Sequence, residues 1–278
     1  MPELPEVESV LRSLNNGTLT LRGRTISRAT ILWDGLLSGG SPAVFSSVLE
    51  GLTFLTINRH GKYLVFGLQS TGKGCNGPFL VVHLRMTGRL YLVPREQAIE
   101  RHTRMVLMLG EDLALRFDDS RKFGRVWLVA DPADVISGLG PDALAVSLDV
   151  FKSRFSNYQR QIKPLLLDQS FIAGIGNIYA DESLFRAGIH PLSSSGSLSD
   201  QDVVRLYGSV IEVLREAVEK DGANIDGVFK EGGYIVSVYG RTDKPCPQCG
   251  STIIKIRVGQ RGTHLCPTCQ PNLKVSAT

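Results

Sequence analysis

The residues with the clearest chemistry are four cysteines arranged as two C-x-x-C pairs near the end of the chain. They are Cys246 with Cys249 and, after sixteen intervening residues, Cys266 with Cys269. Four thiolates at this spacing can close a tetrahedral shell around one zinc ion, and four protein ligands leave no open position, so the metal would be structural. Two disulfides, or pairs in a redox loop, remain the alternatives.

The segment between the two cysteine pairs is short and basic. Its tip carries Lys255, Arg257 and Arg261 among Gly259 and Gly262. Arginine presented on a metal-held hairpin is suited to phosphate or to a nucleic-acid groove. The zinc interpretation therefore predicts a β-hairpin that offers cations to a polyanion.

The N-terminal residues form a second chemical group. Removal of Met1 would expose Pro2 as a secondary amine, which can attack an electrophilic carbon and form an iminium. Glu3 and Glu6 begin a helix that Pro5 favours, and two carboxylates beside an amine can transfer its protons. The alternative is that Pro-Glu-x-Pro-Glu only begins a helix.

Length and charge limit the classes of protein that could carry these groups. The 278 residues suffice for two domains and a metal module. The net charge of +4 falls entirely on residues 226–278, which hold seven Lys or Arg against three Asp or Glu. This favours a nucleic-acid partner, and no apolar run approaches the ~20 residues of a membrane span. We expect no signal peptide, an unpaired Cys75 and a cytoplasmic protein.

The region from Arg24 to about Ala130 has the pattern of an all-β domain. Eight strands are predicted: Thr25–Trp33, Thr53–Asn58, Lys62–Leu68, Phe79–Leu84, Leu90–Val93, Arg104–Leu109, Leu113–Phe117 and Val126–Val129. Such a series favours a sandwich or barrel. Lys62 is expected to be exposed in a hairpin turn. Met86 and Phe123 each lie among cations and before a glycine, which is typical of a wedge into a base stack or of a capped strand end.

The chain beyond a Gly- and Pro-marked linker is predicted to be helical. The predicted helices are Phe151–Tyr158, Ile162–Leu167, Gly176–Ala187 and Ser199–Lys220, the last beginning with a Ser199 and Asp202 cap. Gly174 and Gly176 precede the third helix, where free backbone N–H groups could bind a phosphate. A plain connection between helices is the alternative.

Several blocks of this sequence together resemble the formamidopyrimidine-DNA glycosylase family. They occur in the family's order from residue 1 to 270: MPELPEVE at residue 1, HGKYL at 60, LRMTG at 84, RKFGR at 121, LDQ at 167, GNIYA at 176, VYGR at 238 and GQRGTH at 259, with the four cysteines. The resemblance implies an α+β, two-lobed protein. A β-sandwich with an N-terminal helix would be followed by a helical lobe with a helix-two-turn-helix motif and a zinc-finger hairpin, with DNA between the lobes.

The resemblance also implies domain limits. We expect a catalytic β-sandwich over 1–131, a linker over 132–149, a helix-two-turn-helix domain over 150–237, and the zinc finger with its tail over 238–278. One structural Zn²⁺ is the expected metal, damaged double-stranded DNA the expected partner, and a monomer the expected state.

The implied activity is base-excision repair of 8-oxoguanine and formamidopyrimidines, with β,δ-elimination at the abasic site. Pro2 would be the nucleophile at C1′, Glu3 the general acid and base, and Glu6 a helper near the lesion. The matches to phosphate-binding positions are Lys62, His83, Asn177, Tyr239, Lys255 and Arg261, of which we count Lys62 and Arg261 with the catalytic residues. Met86, Arg121 and Phe123 match the three residues that fill the gap left by the everted base.

One departure from the family concerns the loop that closes over the flipped base. Only twelve residues separate Ile225 from Val238, and this loop is shorter than the family's loop by about half a dozen residues. A shorter loop predicts that the site accepts more kinds of damaged base or binds 8-oxoguanine less firmly. The alternatives are an endonuclease VIII-like enzyme for oxidised pyrimidines and a DNA-binding zinc protein without catalysis. Leu4 and the Met86, Arg121 and Phe123 triplet favour the purine enzyme.

Overall fold

The computed structural model describes residues 1–70, 76–225, 227 and 232–272. These residues form two compact units. The first unit comprises Met1–Gly138 with Ile225 and Gly227, and the second comprises Leu139–Asn224 with 232–272. The prediction for Cys75, and part of the interpretation of the segment before Val238, concern residues outside this description.

Among the described residues of the first unit, eight strands form two four-stranded antiparallel sheets, so the predicted sandwich is confirmed. The strand orders are β1-β6-β7-β5 and β2-β3-β4-β8. The strands are β1 (Ile26–Ile31), β2 (Leu52–His60), β3 (Tyr63–Ser70), β4 (Asn76–His83), β5 (Arg89–Pro94), β6 (Thr103–Leu109), β7 (Leu113–Asp118) and β8 (Arg125–Val129).

The core between the sheets follows from the two-residue period of a strand. On β3, Leu64, Phe66 and Leu68 all join the main core. On β6, the same core receives Met105, Leu107 and Leu109, whereas Val106 belongs to a smaller cluster on the outer face. Alternation thus selects which side chains are buried between the sheets.

Helices α1 (Leu4–Asn16) and α2 (Pro42–Leu49) pack against the sandwich. Helix α1 buries Val7, Val10 and Leu14 in the same core, at helical spacing. Helix α2 is absent from the sequence prediction. Its signals are a Ser41 side chain that accepts the N–H of Val44, and Phe45 and Leu49 buried one turn apart.

The second unit is helical, as predicted, and includes the cysteine hairpin. Its helices are α4 (Leu148–Phe155), α5 (Ile162–Leu167), α6 (Asn177–Ala187) and α7 (Asp200–Glu219); a short helix α3 (Ala133–Ile136) precedes the division between the units, inside the predicted linker. The predicted cap of α7 is present, because Ser199 and Asp202 form a reciprocal capping box. Strands β9 (Ile254–Val258) and β10 (Arg261–Leu265) pair antiparallel, and Gly259 takes a positive φ of 56° at their turn.

Candidate functional site

The N-terminal carboxylates are held by the start of helix α1. Glu3 and Glu6 are each 2% exposed and form a reciprocal capping box. The Glu3 N–H donates to Glu6 Oε2 at 2.8 Å, and the Glu3 side chain accepts the N–H of Glu6. Pro2 is buried immediately before them. The helix end therefore keeps two carboxylates at a fixed place beside residue 2.

The turn between β2 and β3 is fastened to the same helix. Arg59 Nε lies 2.7 Å from Glu8 Oε2, and Arg59 Nη1 donates to the Gly61 carbonyl at 2.8 Å. The prediction that Lys62 is exposed is wrong, because this side chain is 7% exposed. The reason is tertiary: Arg59 holds the turn against α1 through Glu8, and Lys62 lies in that turn.

His83 ends β4 and is buried rather than presented as a cation. Burial, assisted by Arg85 and then Lys62, lowers the pKa of His83 from 6.5 to about 3. The neutral ring accepts the Arg85 N–H through Nδ1 at 2.9 Å, which leaves Nε2 as the donor. A contact between His83 and phosphate would accordingly be one neutral hydrogen bond. In this structure the ring orders Arg85, whose φ is 56°.

Two loops that carry the predicted wedge residues are joined by one buried carboxylate. Asp119, 1% exposed, accepts the Thr87 hydroxyl beside Met86. It also accepts the N–H of Arg121 at 3.2 Å and of Gly124 at 2.7 Å. The carboxylate thus fixes the Met86 turn and the segment 119–125, which we call the wedge loop, in one geometry.

Phe117 explains the glycines in both loops. A Cβ on Gly88 would lie 2.9 Å from Phe117 Cζ, and one on Gly124 would lie 2.4 Å from the same atom. The Gly124 backbone therefore rests on the buried Phe117 ring, and a side chain there would displace the ring. A Cβ on Gly88 would in addition lie 2.4 Å from the Leu84 carbonyl oxygen, so the backbone also excludes a side chain at that position.

The wedge side chains themselves face outward. Phe123 is 47% exposed, and the Arg121 guanidinium carbon lies 4.9 Å from its ring centroid. The Arg121 guanidinium lies over the Phe123 ring, and Met86 is half-buried. Phe123 hence lies outside the sandwich core.

In the second unit, a buried ionic network joins the helices to the zinc hairpin. Lys163 and Asp181 are fully buried, with Nζ and Oδ1 2.6 Å apart. Lys163 Nζ also donates to Thr263 Oγ1 at 2.7 Å and to the Gly262 carbonyl at 3.1 Å. Asp181 Oδ2 accepts the N–H of His264 at 2.9 Å. The network therefore sets the position of strand β10 against α5 and α6.

Asn177 belongs to the same junction. It begins α6, and its Nδ2 donates to the Gly262 carbonyl at 3.1 Å. Its Oδ1 is buried and has no hydrogen-bond partner within the described residues. Asn177 is in this way brought next to strand β10, although it is 85 positions from Gly262 in the chain.

Tyr239 is placed by a buried glutamate on α6. Glu182 accepts the backbone N–H groups of Ser237, Val238 and Tyr239 at 2.7 to 2.9 Å. The Tyr239 ring meets the His264 ring edge to face at 5.0 Å. Burial raises the pKa of Glu182, and the three N–H groups oppose that shift. The segment that follows the short loop is consequently fastened to α6.

The hairpin presents the predicted cations to solvent. Lys255, Arg257 and Arg261 are all exposed. Lys255 lies across Gly262, where an added Cβ would come within 3.0 Å of its Cε. Arg257 donates to the Gln260 side chain at 2.9 Å across the turn. The arrangement leaves three positive groups on one short hairpin.

The four cysteines are brought together as predicted. Their sulfur atoms all lie within 4.8 Å of one another, with 3.8 Å between Cys246 and Cys269 and 3.4 Å between Cys249 and Cys266. A tetrahedral zinc with Zn–S bonds of ~2.3 Å places its sulfurs about 3.8 Å apart, whereas a disulfide bond is ~2 Å long. The ligand set therefore fits one structural zinc ion.

Sequence reasoning missed the charged residues that hold the predicted site residues within each unit. They are Glu8, Arg59 and Asp119 in the first unit and Lys163, Asp181 and Glu182 in the second. Glu8 and Arg59 are partly buried and the other four are buried, and each meets a partner far along the chain that no local period reveals. Asp119 alone has a local signal, since an aspartate often accepts the backbone N–H two residues on.

Among the described residues, no helix is long and apolar enough to cross a membrane.

Three family models match this chain. They are the formamidopyrimidine-DNA glycosylase N-terminal domain over residues 1–126, the H2TH domain of the same glycosylase over 138–227, and a zinc finger found in FPG and IleRS over 243–272. Together they account for most of the chain.

Similar proteins agree with these matches. Formamidopyrimidine-DNA glycosylase of Herpetosiphon aurantiacus is 40% identical over 97% of this chain and 100% of the relative. The structure of Lactococcus lactis Fpg with DNA that contains an abasic site has a TM-score of 0.87 and 32% identity, over 98% of this chain and 100% of that one. A structure of MutM with DNA that contains carbocyclic 8-oxo-G has the same values.

Proposed function

The chain belongs to the formamidopyrimidine-DNA glycosylase family, and from that premise we propose that it is a base-excision repair enzyme that removes oxidised purines and then cleaves the abasic strand. The observation that carries this proposal is Pro2, buried directly before two buried carboxylates. The carbocyclic 8-oxo-G in the DNA bound by MutM supports 8-oxoguanine as a substrate, beside the formamidopyrimidines of the family's name.

The first half of the reaction exchanges the base for the amine. Once Met1 is removed, the Pro2 nitrogen attacks C1′ of the damaged nucleoside and the bond from C1′ to the base breaks. The electron pair leaves with the base, which takes up a proton. The proton of the amine passes to O4′ as the sugar ring opens, and a carboxyl group at Glu3 can carry it. The product is a covalent iminium on Pro2.

The second half cleaves the strand. The iminium makes the protons on C2′ acidic, so loss of one expels the 3′ phosphate by β-elimination. A further elimination expels the 5′ phosphate, and water then hydrolyses the remaining iminium and returns the Pro2 amine. No oxidant or reductant is needed, and the zinc ion supplies only folding energy to its hairpin.

The other site residues would hold the DNA. In the first unit these are Lys62 and His83 for phosphate, Glu6 near the lesion, and Met86, Arg121 and Phe123 in the vacated stack. In the second unit they are Asn177, Tyr239, Lys255 and Arg261 for phosphate. Exposed Lys255 and Arg261 suit a salt-dependent phosphate contact, whereas buried His83 suits a neutral one.

Borohydride trapping on a panel of lesion duplexes tests the proposal. We expect a covalent complex with duplexes that contain 8-oxoguanine or formamidopyrimidine, and mass spectrometry should place the crosslink on Pro2. The matched control is a chain lengthened by one residue before Pro2, whose nitrogen is an amide and which should bind but not crosslink. A crosslink on Lys62 would contradict the assignment of the nucleophile.

The same panel separates the alternatives. A preference for oxidised pyrimidines would indicate an endonuclease VIII-like specificity. Firm binding of lesion DNA with no crosslink to any duplex would indicate a DNA-binding protein without catalysis. We further propose that the chain acts as a monomer, which sedimentation of its complex with a short duplex would test. We also propose that it acts in the compartment that holds genomic DNA.

A further inference from the structure

The wedge loop is bordered by an aromatic residue that none of the site predictions includes. Trp33 lies half-buried between β1 and α2. The Lys122 ammonium lies 5.7 Å from its ring centroid, and the Arg125 guanidinium carbon lies 5.9 Å from it. Both cations belong to the wedge loop, and both distances are within the range of a cation–π contact.

The indole itself is firmly placed. A Cβ on Gly35 would lie 2.3 Å from Trp33 Cζ2, so the ring lies directly against the Gly35 backbone. The flanking chain is tied to the sandwich, because the Leu32 N–H donates to the Arg104 carbonyl at 2.8 Å and the Ser38 N–H donates to the Val126 carbonyl at 2.9 Å. Trp33 thus offers a fixed ring face to the charged ends of two cations.

The two cations are connected to the wedge residue Phe123 in different ways: Arg125 through hydrogen bonds to backbone carbonyls, and Lys122 as the preceding residue in the chain. Arg125 Nη1 donates to the carbonyl of Gly124 at 2.8 Å and to that of Phe123 at 3.4 Å. Lys122 has a φ of 60°, and its neighbours Arg121 and Phe123 stack on each other while its own ammonium lies over Trp33. At Lys122, where the backbone is left-handed, neighbouring side chains of the loop therefore contact different rings. Arg121 lies over Phe123, and Lys122 lies over Trp33.

We propose that Trp33 is a positioning residue for the wedge. It holds Lys122 and Arg125, and through them the backbone of Phe123 and Gly124, in the conformation that enters the base stack. The loop is then ordered before DNA binds, so that less conformational entropy is lost when the base is everted. The expected effect of Trp33 on catalysis rests on the proposed function. Its expected effect on the order of the wedge loop does not.

The first experiment measures loop order without DNA. Hydrogen exchange at the Gly124 amide, which donates to Asp119, reports opening of the wedge loop. Two exposed cation–π contacts of about 0.5–1 kcal/mol each correspond to a roughly 5- to 30-fold faster exchange in Trp33→Ala. Trp33→Phe should recover most of the protection. Leu32→Ala is the matched control, because Leu32 is 45% exposed in the same segment.

The second experiment measures catalysis. We expect Trp33→Ala to slow single-turnover release of an oxidised purine by a similar roughly 5- to 30-fold, and to change cleavage of a preformed abasic duplex by less than about twofold. Trp33→Phe should restore the rate, and Leu32→Ala should resemble wild type.

The results separate this inference from the proposed function. Unchanged Gly124 exchange in Trp33→Ala would overturn it, as would equal loss on both substrates with a large fall in melting temperature. If Gly124 exchange is faster in Trp33→Ala but the wild-type protein releases no base, the positioning role is supported and the proposed function is contradicted.

Discussion

Glu3 and Glu6 bind each other's backbone: the Glu3 N–H donates to the Glu6 carboxylate at 2.8 Å, and the Glu3 side chain accepts the Glu6 N–H. The two residues of the helix cap are consequently the same two that are proposed to act at the lesion, Glu3 as the proton carrier and Glu6 beside the damaged base. Stability and catalysis are linked at this point of the chain.

The first prediction separates the cap from the charge. Glutamine also completes a capping box, so Glu6→Gln should melt close to wild type, whereas Glu6→Ala should lose about 1 kcal/mol or more. Base release should fall in both if the charge assists near the lesion. Thermal melting and single-turnover excision are the measurements. Excision at the wild-type rate by Glu6→Gln would show that the charge is dispensable.

The second prediction concerns the exposed wedge. Because Phe123 is 47% exposed, Phe123→Ala should melt within a few degrees of wild type but release a lesion base much more slowly, with less loss on an abasic duplex. The matched control is Phe66→Ala, a fully buried ring that should cost about 3–5 kcal/mol. Similar melting temperatures for the two variants would contradict the assignment of Phe123 to the surface.

The third prediction concerns the zinc ion. Chelation, or Cys249→Ser, should unfold the hairpin that carries Lys255 and Arg261, because metal binding supplies the folding energy of so small a module. Affinity for lesion DNA should fall. A metal-free protein that binds at the wild-type level would exclude the hairpin from the interface, and Cys75→Ser serves as the cysteine control.

The fourth prediction concerns the buried pair of Lys163 and Asp181. Lys163→Met leaves Asp181 as an uncompensated buried charge and should cost about 3–5 kcal/mol. The double variant Lys163→Met with Asp181→Leu should recover part of that loss, because no charge is then left alone. Chemical denaturation of the single and double variants gives the comparison. Additive losses in the double variant would contradict the pairing.

The fifth prediction concerns acid. His83 has its pKa lowered from 6.5 to about 3, so between these values the unfolded chain binds a proton that the folded protein does not. Stability should therefore fall as the pH falls from about 6.5 towards 3, by up to a few kcal/mol from this residue. His83→Gln should flatten that part of the stability curve. Equal curves for wild type and His83→Gln would contradict the burial of a neutral ring.

Much of the local structure follows from the sequence alone. The eight strands, the Ser199 and Asp202 cap and the cysteine pairs all follow from short periods and spacings, and those rules act over a few residues. Helix α2 was missed because its apolar face is only Phe45 and Leu49, too short for a helical period to be distinct. Local rules thus determine which elements form when the pattern extends over enough residues.

Tertiary structure decided which charged residues are buried and what they hold. Lys62 is in a turn that sequence reasoning placed in solvent but is only 7% exposed, and that turn is held against α1 by Arg59, which binds Glu8, 51 positions away. Lys163 meets Thr263 across 100 residues. A buried charge is stable only where a partner satisfies it, and no period in the sequence identifies a partner that far along the chain.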